Sequence, residues 1–205
     1  MYKVKELDNF RKAGDFVFKW SRSLTIAKKI VLALTMACVT GLSAQVRIPL
    51  PWTPVPITMQ TFFVLIAGVL LGRRWGGLSQ IIYVGIGILG IPWFAGYSIF
   101  GPTGGYLIGF ILAAFFLGYV IDKYVHLRNF VSILLLMLFA SLFLIYIPGL
   151  IQLGFYFYMI KGSFPGLIPI LSMGLFPFIP GALIKIVFAA AISCTLIPRE
   201  KDTLD

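Results

Sequence analysis

Phe130-Val131-Ser132-Ile133-Leu134-Leu135-Leu136-Met137-Leu138-Phe139-Ala140-Ser141-Leu142-Phe143-Leu144-Ile145 opens a run that reaches Ile160 without a charged residue. An apolar run longer than ~20 residues is long enough to cross the hydrocarbon of a bilayer as a helix. Segments with almost no charge flank it at 31–46, 57–72, 78–92, 103–121 and 167–197. Their Gly and Pro residues do not oppose helix, because neighbouring spans and polar side chains re-satisfy freed backbone groups in lipid. The whole 205-residue chain is 60% hydrophobic and only 12% charged, more apolar surface than a water-soluble core of that size can hide. The expected fold is an all-α polytopic membrane protein with six transmembrane helices.

Charge gives the expected orientation. Lys3, Lys5, Arg11, Lys12, Lys19, Arg22, Lys28 and Lys29 precede the first segment, and Arg73 and Arg74 follow the second. Lys123 and Arg128 follow the fourth, and Arg199 and Lys201 follow the last, all on one side. Only Arg47 and Lys161 fall in the opposite loops. The positive-inside rule makes the basic side cytoplasmic, with both termini in. The net charge of +10 therefore reports topology, and no nucleic-acid partner is expected.

Residues 1–29 are expected to form a basic cytoplasmic leader, 30–198 a single membrane domain and 199–205 a cytoplasmic tail. Phe10, Phe16, Val17, Trp20 and Leu24 interleave with the leader's basic residues, which suits either an amphipathic helix on an anionic inner surface or a solvated segment. Glu6, Asp8 and Asp15 within it, and the lack of a short apolar core, do not fit a cleavable signal. Cys38 and Cys194 fall far apart within spans and make neither a disulfide framework nor metal-ligand spacing. No metal or other cofactor is implied.

The outer loops are rich in Pro, Gly and aromatic residues. In the first, Pro49, Pro51, Pro54 and Pro56 exclude regular helix and favour a stiff extended path. Such a loop loses little entropy on closing over a ligand, or it serves as a rigid linker with Trp52 anchoring the interface. In the second, Ile91-Pro92-Trp93-Phe94-Ala95-Gly96-Tyr97-Ser98-Ile99-Phe100 leads into Gly101-Pro102-Thr103-Gly104-Gly105-Tyr106 at a helix start. These glycines permit close approach by a helix or a ligand, and their amides suit a carboxylate. The Lys-Ser/Thr ending of a phosphate-binding loop is missing, so ATP is not handled there. Ala33, Ala37 and Gly41 form a small-residue stripe on the first span, able to pack closely against another helix of this chain or of a partner.

All seven acids lie in cytoplasmic segments, which leaves the spans without a carboxylate for a proton relay or for acid/base hydrolysis. The one charge inside a span is Lys185, and an intramembrane Lys marks a functional site unless it snorkels to the interface. Ser43, Ser98 or Ser172 paired with Lys185 would make an intramembrane hydrolase, a less favoured alternative. A structural membrane protein that binds nothing is the other.

Arg47-Ile48-Pro49-Leu50-Pro51 with Thr53-Pro54-Val55-Pro56-Ile57-Thr58-Met59-Gln60-Thr61, Gly101 to Phe110, and Ile179-Pro180-Gly181 with Lys185 resemble the BioY proteins. Those are biotin-binding S-components of energy-coupling-factor transporters, and the resemblance runs from about Ala33 to Ile197. It implies a non-enzymatic six-helix subunit in the prokaryotic cytoplasmic membrane that binds biotin near the outer face. It also implies a transmembrane coupling subunit and two ATP-binding subunits as partners, with Ala33, Ala37 and Gly41 as the docking stripe. The chain departs from the family where Ala182 stands in place of an acid and where Tyr97-Ser98-Ile99-Phe100 lacks an Arg. The departure at Ala182 leaves dethiobiotin or lipoate as alternative ligands. The expected site joins Lys185, which meets a carboxylate or ureido oxygen, with Trp52, Trp93, Phe94, Tyr97 and Tyr106 as apolar walls. Thr53, Thr58, Gln60 and Thr103 supply polar contacts, and Gly104 and Gly105 the helix start.

Overall fold

The computed structural model describes residues 16, 18, 20, 21, 23–95 and 98–198. Helix α1 spans Ile26–Ser43 and is followed by two short strands, β1 (Arg47–Leu50) and β2 (Thr53–Thr58). Helices α2 (Gln60–Ile88) and α3 (Gly104–Lys123) come next. Helix α4 (Phe130–Phe139) passes through a π-helical segment (Ala140–Ile145) into α5 (Tyr146–Lys161). Helices α6 (Leu167–Gly174) and α7 (Ile179–Leu196) complete the order. Among the described residues five helical stretches are long and apolar enough to cross a membrane: Ile26–Ser43, Gln60–Ile88, Gly104–Lys123, Phe130–Lys161 and Leu167–Leu196.

The count is five because the second and third expected segments share one helix. That helix nevertheless reverses at Gly72, whose φ of 76° and ψ of −176° are accessible in practice only to glycine. A straight helix would set Gln60 and Tyr83 more than ~30 Å apart, yet Gln60 Nε2 donates to the Tyr83 hydroxyl at 2.6 Å. Below the turn, a Cβ on Gly76 would lie 2.7 Å from Ala67 O, so the two halves are in backbone contact. Asp122 Oδ2, from the end of α3, accepts the Arg73 N–H at 3.0 Å. It thereby satisfies one of the amides that a starting helix leaves open.

The four prolines of the first outer loop build something more regular than an extended linker. β1 and β2 pair antiparallel, with Arg47 opposite Thr58 and Ile48 opposite Ile57, before the register shifts ahead of Leu50 opposite Thr53. Pro54 and Pro56 lie within the irregular stretch, where a missing N–H costs the ladder least. Thr53 Oγ1 donates to Met173 O at 2.7 Å and so ties the hairpin to α6.

Val64, Leu65, Leu117, Ile133, Met137 and Ile186 are fully buried in the core that α2, α3, α4 and α7 share. Outward faces are apolar as well, with Ile151, Leu135 and Phe188 exposed, as lipid-facing residues are. Ala33 and Ala37 are fully buried within the chain, and Gly41 lies against the Trp93 ring. The stripe expected to dock a partner thus packs internally in this structure. Of the leader, residues 1–15, 17, 19 and 22 lie outside the described residues, as does the tail at 199–205. Phe18 is buried with the Arg128 guanidinium over its ring, while Phe16 and Trp20 are exposed.

Candidate ligand-binding site

Lys185 follows Pro180 on α7, one helical turn beyond Ala182, and the spacing places both on the inward face. Its Nζ donates to the carbonyl of Thr58 at the end of β2, at 2.9 Å. Around it is a cavity of about 540 Å³ counted out to its open mouth, of which only about 50 Å³ admits the centre of a water molecule. The space is therefore narrow. Its walls are Val55, Pro56, Thr58, Gln60, Thr61, Ala95, Thr103, Tyr106, Leu107, Phe110, Ile145, Tyr146, Phe178 and Lys185. Lys185 is the one charged group among them.

The polar groups are held by neighbours. Thr58 Oγ1 donates to Gln60 Oε1 at 3.1 Å, and Gln60 passes its amide N–H to Tyr83. The Tyr83 hydroxyl lies 3.5 Å from Trp93 O. Tyr106 donates to Gly174 O at 2.7 Å and meets the Tyr146 ring edge to face at 5.9 Å, with Phe178 beyond it. Thr103 Oγ1 is different: it is buried and has no hydrogen-bond partner among the described residues. Since buried hydroxyls nearly always find a partner, this one suits a ligand's polar atom.

The structure brings Lys185, Thr58, Gln60, Thr103 and Tyr106 to one cavity. It separates others from it. Trp52 is 59% exposed at the hairpin tip, and Phe94 is buried against Tyr83 and Gly87. Thr53 is occupied by Met173, and Tyr97 lies outside the described residues. A Cβ on Gly104 would meet Ile99 O, and one on Gly105 would meet Pro148 O, so close packing explains both. The Gly104 and Tyr106 amides donate to Gly101 O and Thr103 O rather than into the cavity.

Phe110, Tyr146 and Phe178 line the cavity as well and are not among the residues expected from the sequence. Phe110 had a signal, since Thr103, Tyr106 and Phe110 recur at helical spacing on one face. Tyr146 was hidden in the uniformly apolar run and reaches the cavity from the end of the π-helical segment. π-Helical turns of this kind recur at functional sites. Ser43 and Ser172 donate to Thr40 O and Pro169 O, and Ser98 accepts from the Phe100 N–H. None of the three lines the Lys185 cavity.

The BioY family model matches residues 13–202. The "Probable biotin transporter BioY" of Methanothermobacter thermautotrophicus is 51% identical over 139 residues, 65% of this chain and 88% of that protein. The "Biotin transporter BioY" of Thermotoga maritima is 38% identical over 158 residues, 75% of this chain and 87% of its own length. The crystal structure of an S-component for biotin from an ECF-type ABC transporter superposes with a TM-score of 0.72 at 26% identity, covering 85% of this chain and 94% of that one. A family model matched from residue 13 to residue 202, on a chain with the same architecture as that S-component, means that the chain belongs to the BioY family.

Proposed function

We propose that this chain is the substrate-binding subunit for biotin uptake across the prokaryotic cytoplasmic membrane. The observation that carries this is the Lys185 cavity: one cation stands in an apolar space walled by Tyr106, Phe110, Tyr146 and Phe178, with Thr103 also on its lining. Few polar groups in an apolar, aromatic pocket is the pattern of a small-molecule site. It suits a compact head group with one strong acceptor on an apolar body. Residues 30–198 act as one membrane domain that crosses the bilayer six times, with both termini cytoplasmic. The reversal at Gly72 supports six crossings, since it returns Ile88 to the side of Gln60. Partner subunits, a transmembrane coupling protein and two ATPases, supply the energy.

Ala182 favours a second reading within the same class. It is buried one turn before Lys185, and among the described residues no carboxylate lines the cavity to accept ureido N–H groups. Dethiobiotin or lipoate is therefore the alternative ligand. Purified protein in detergent is titrated with biotin, dethiobiotin and lipoate. Saturable heat with biotin is expected, and competition by lipoate but not dethiobiotin would shift the assignment to a pocket read by chain and carboxylate. A wild type that binds none of the three overturns both readings.

A further inference from the structure

A second recess lies at the end of the bundle away from Lys185, where four parts of the chain meet. Ser21 comes from the segment before α1, Lys29 from α1, Arg73, Arg74 and Trp75 from the turn of α2, and Asp122 from the end of α3. Its volume is about 650 Å³ counted out to the mouth. Among the described residues three cations and one carboxylate line it, and the carboxylate turns Oδ2 to the Arg73 backbone N–H at 3.0 Å. The Arg73 guanidinium lies over the Tyr119 ring, its Cζ 4.9 Å from the centroid. The positive-inside rule accounts for basic residues at this end of the spans, but it does not require side chains of α1 and α2 to line one hollow. Like charges brought together repel, and an anion among them removes that cost.

The recess adjoins an apolar one. A smaller space of about 190 Å³, mouth included, shares Ser21, Lys29, Leu71 and Trp75 with it and adds Leu32. Along α1 beside Lys29, Ile26, Ile30 and Leu34 are exposed at helical spacing, as lipid-facing residues are. A cationic hollow joined to an apolar one at the end of a span matches an anion that carries a hydrocarbon chain. We propose that this recess binds the phosphate of an anionic phospholipid, with Lys29, Arg73 and Arg74 on the phosphate oxygens and the acyl chain leaving past Leu32 and Leu71. Basic pockets between spans take head groups of this kind. Guanidinium N–H donors match phosphate oxygens in pairs, and the Trp75 ring suits the depth at which head groups lie. The excess of positive charge selects against zwitterionic lipids, whose ammonium would enter the same field. The site is separate from the Lys185 cavity and does not depend on the biotin reading.

The test follows the Tm of the full chain in detergent against phosphatidylglycerol, phosphatidylcholine with the same acyl chains, and inorganic phosphate. Phosphatidylglycerol is expected to raise the Tm in a saturable way, while phosphatidylcholine and inorganic phosphate leave it unchanged. Lys29→Gln and Arg74→Gln each raise the half-saturating phosphatidylglycerol concentration about tenfold or more, the worth of one charge-assisted hydrogen bond. Lys28→Gln removes the same charge from an exposed position outside the recess and leaves that concentration as in wild type. Equal shifts from the two lipids in wild type, a comparison that needs no variant to fold, overturn the site. An effect of Lys28→Gln as large as that of Arg74→Gln overturns it too, because the attraction then belongs to the surface charge at large. Saturation by inorganic phosphate, with nothing added by phosphatidylglycerol, overturns the lipid and assigns the recess to a soluble phosphate.

Discussion

Lys185 and Thr103 make opposite demands on the fold. The Lys185 ammonium already has the Thr58 carbonyl, whereas the Thr103 hydroxyl is buried with nothing to bond among the described residues. Thr103→Val keeps the shape and removes an unsatisfied group. It should leave the Tm of the ligand-free protein unchanged or higher, yet weaken ligand binding about 3- to 10-fold, the net worth of one neutral hydrogen bond. Lys185→Ala should weaken binding about 10- to 100-fold, because a charge-assisted bond is lost. Calorimetric titration beside a thermal melt checks both. A Thr103→Val protein that melts lower and binds normally would mean that the hydroxyl serves the fold. Lys185 was legible as the lone intramembrane charge, but the lack of a partner for Thr103 belongs to three dimensions, since one hydroxyl before a helix resembles any other.

At the scale of elements, the turn of α2 concentrates several constraints. Gly72 adopts a backbone conformation closed to side chains, Gly76 packs on the preceding half, and a Cβ on Gly118 would strike Gly72 and Arg73. Gly72→Ala should cost about 1–3 kcal/mol in backbone strain. Asp122→Ala, which frees the Arg73 N–H, should cost about 0.5–2 kcal/mol as a lost helix cap. Each kcal/mol lowers the Tm of a chain this size by about 2–4 °C. Melting in detergent should therefore rank wild type above Asp122→Ala and Gly72→Ala. Equal Tm values for wild type and Gly72→Ala would show that the turn relaxes without strain. Binding by both variants at a temperature where they stay folded is expected to be near normal, because the turn lies at the end of the bundle away from Lys185.

For the whole molecule, the reversal in α2 makes a topological prediction. If α2 crosses the bilayer twice, the hairpin tip at Trp52 and the loop at Ile91 face the same side, and Arg128 faces the other. Single cysteines at these positions, in a background with Cys38 and Cys194 replaced by Ser, are challenged in intact cells with a membrane-impermeant maleimide. Labelling at 52 and 91 but not at 128 is the expected pattern. Labelling at 52 with protection at 91 until the cells are opened would mean that Gln60–Ile88 crosses once. The contact of Arg47 with Ala95 already brings the loops after α1 and α2 to the same end of the molecule.

The apolar runs made a polytopic helical membrane protein legible from the chain alone, because transfer into lipid depends on composition along a segment rather than on its neighbours. The intramembrane Lys185 was legible for the same reason, as a charge whose burial needs a purpose. What the tertiary structure decided is which residues meet. In a bilayer-spanning bundle inward and outward faces are both apolar, so hydrophobic periodicity cannot tell Tyr146 and Phe178 at the cavity from Ile151 and Phe188 facing outward. The glycines show the same limit, since close packing and ligand contact require the same missing side chain, and only the position of the Ile99 and Pro148 carbonyls assigns Gly104 and Gly105 to packing. The pairing of Arg47 with Thr58, which sets the end of β2 whose carbonyl holds Lys185, depends on a strand register that the proline-rich loop acquires only when it folds onto α6 and α7.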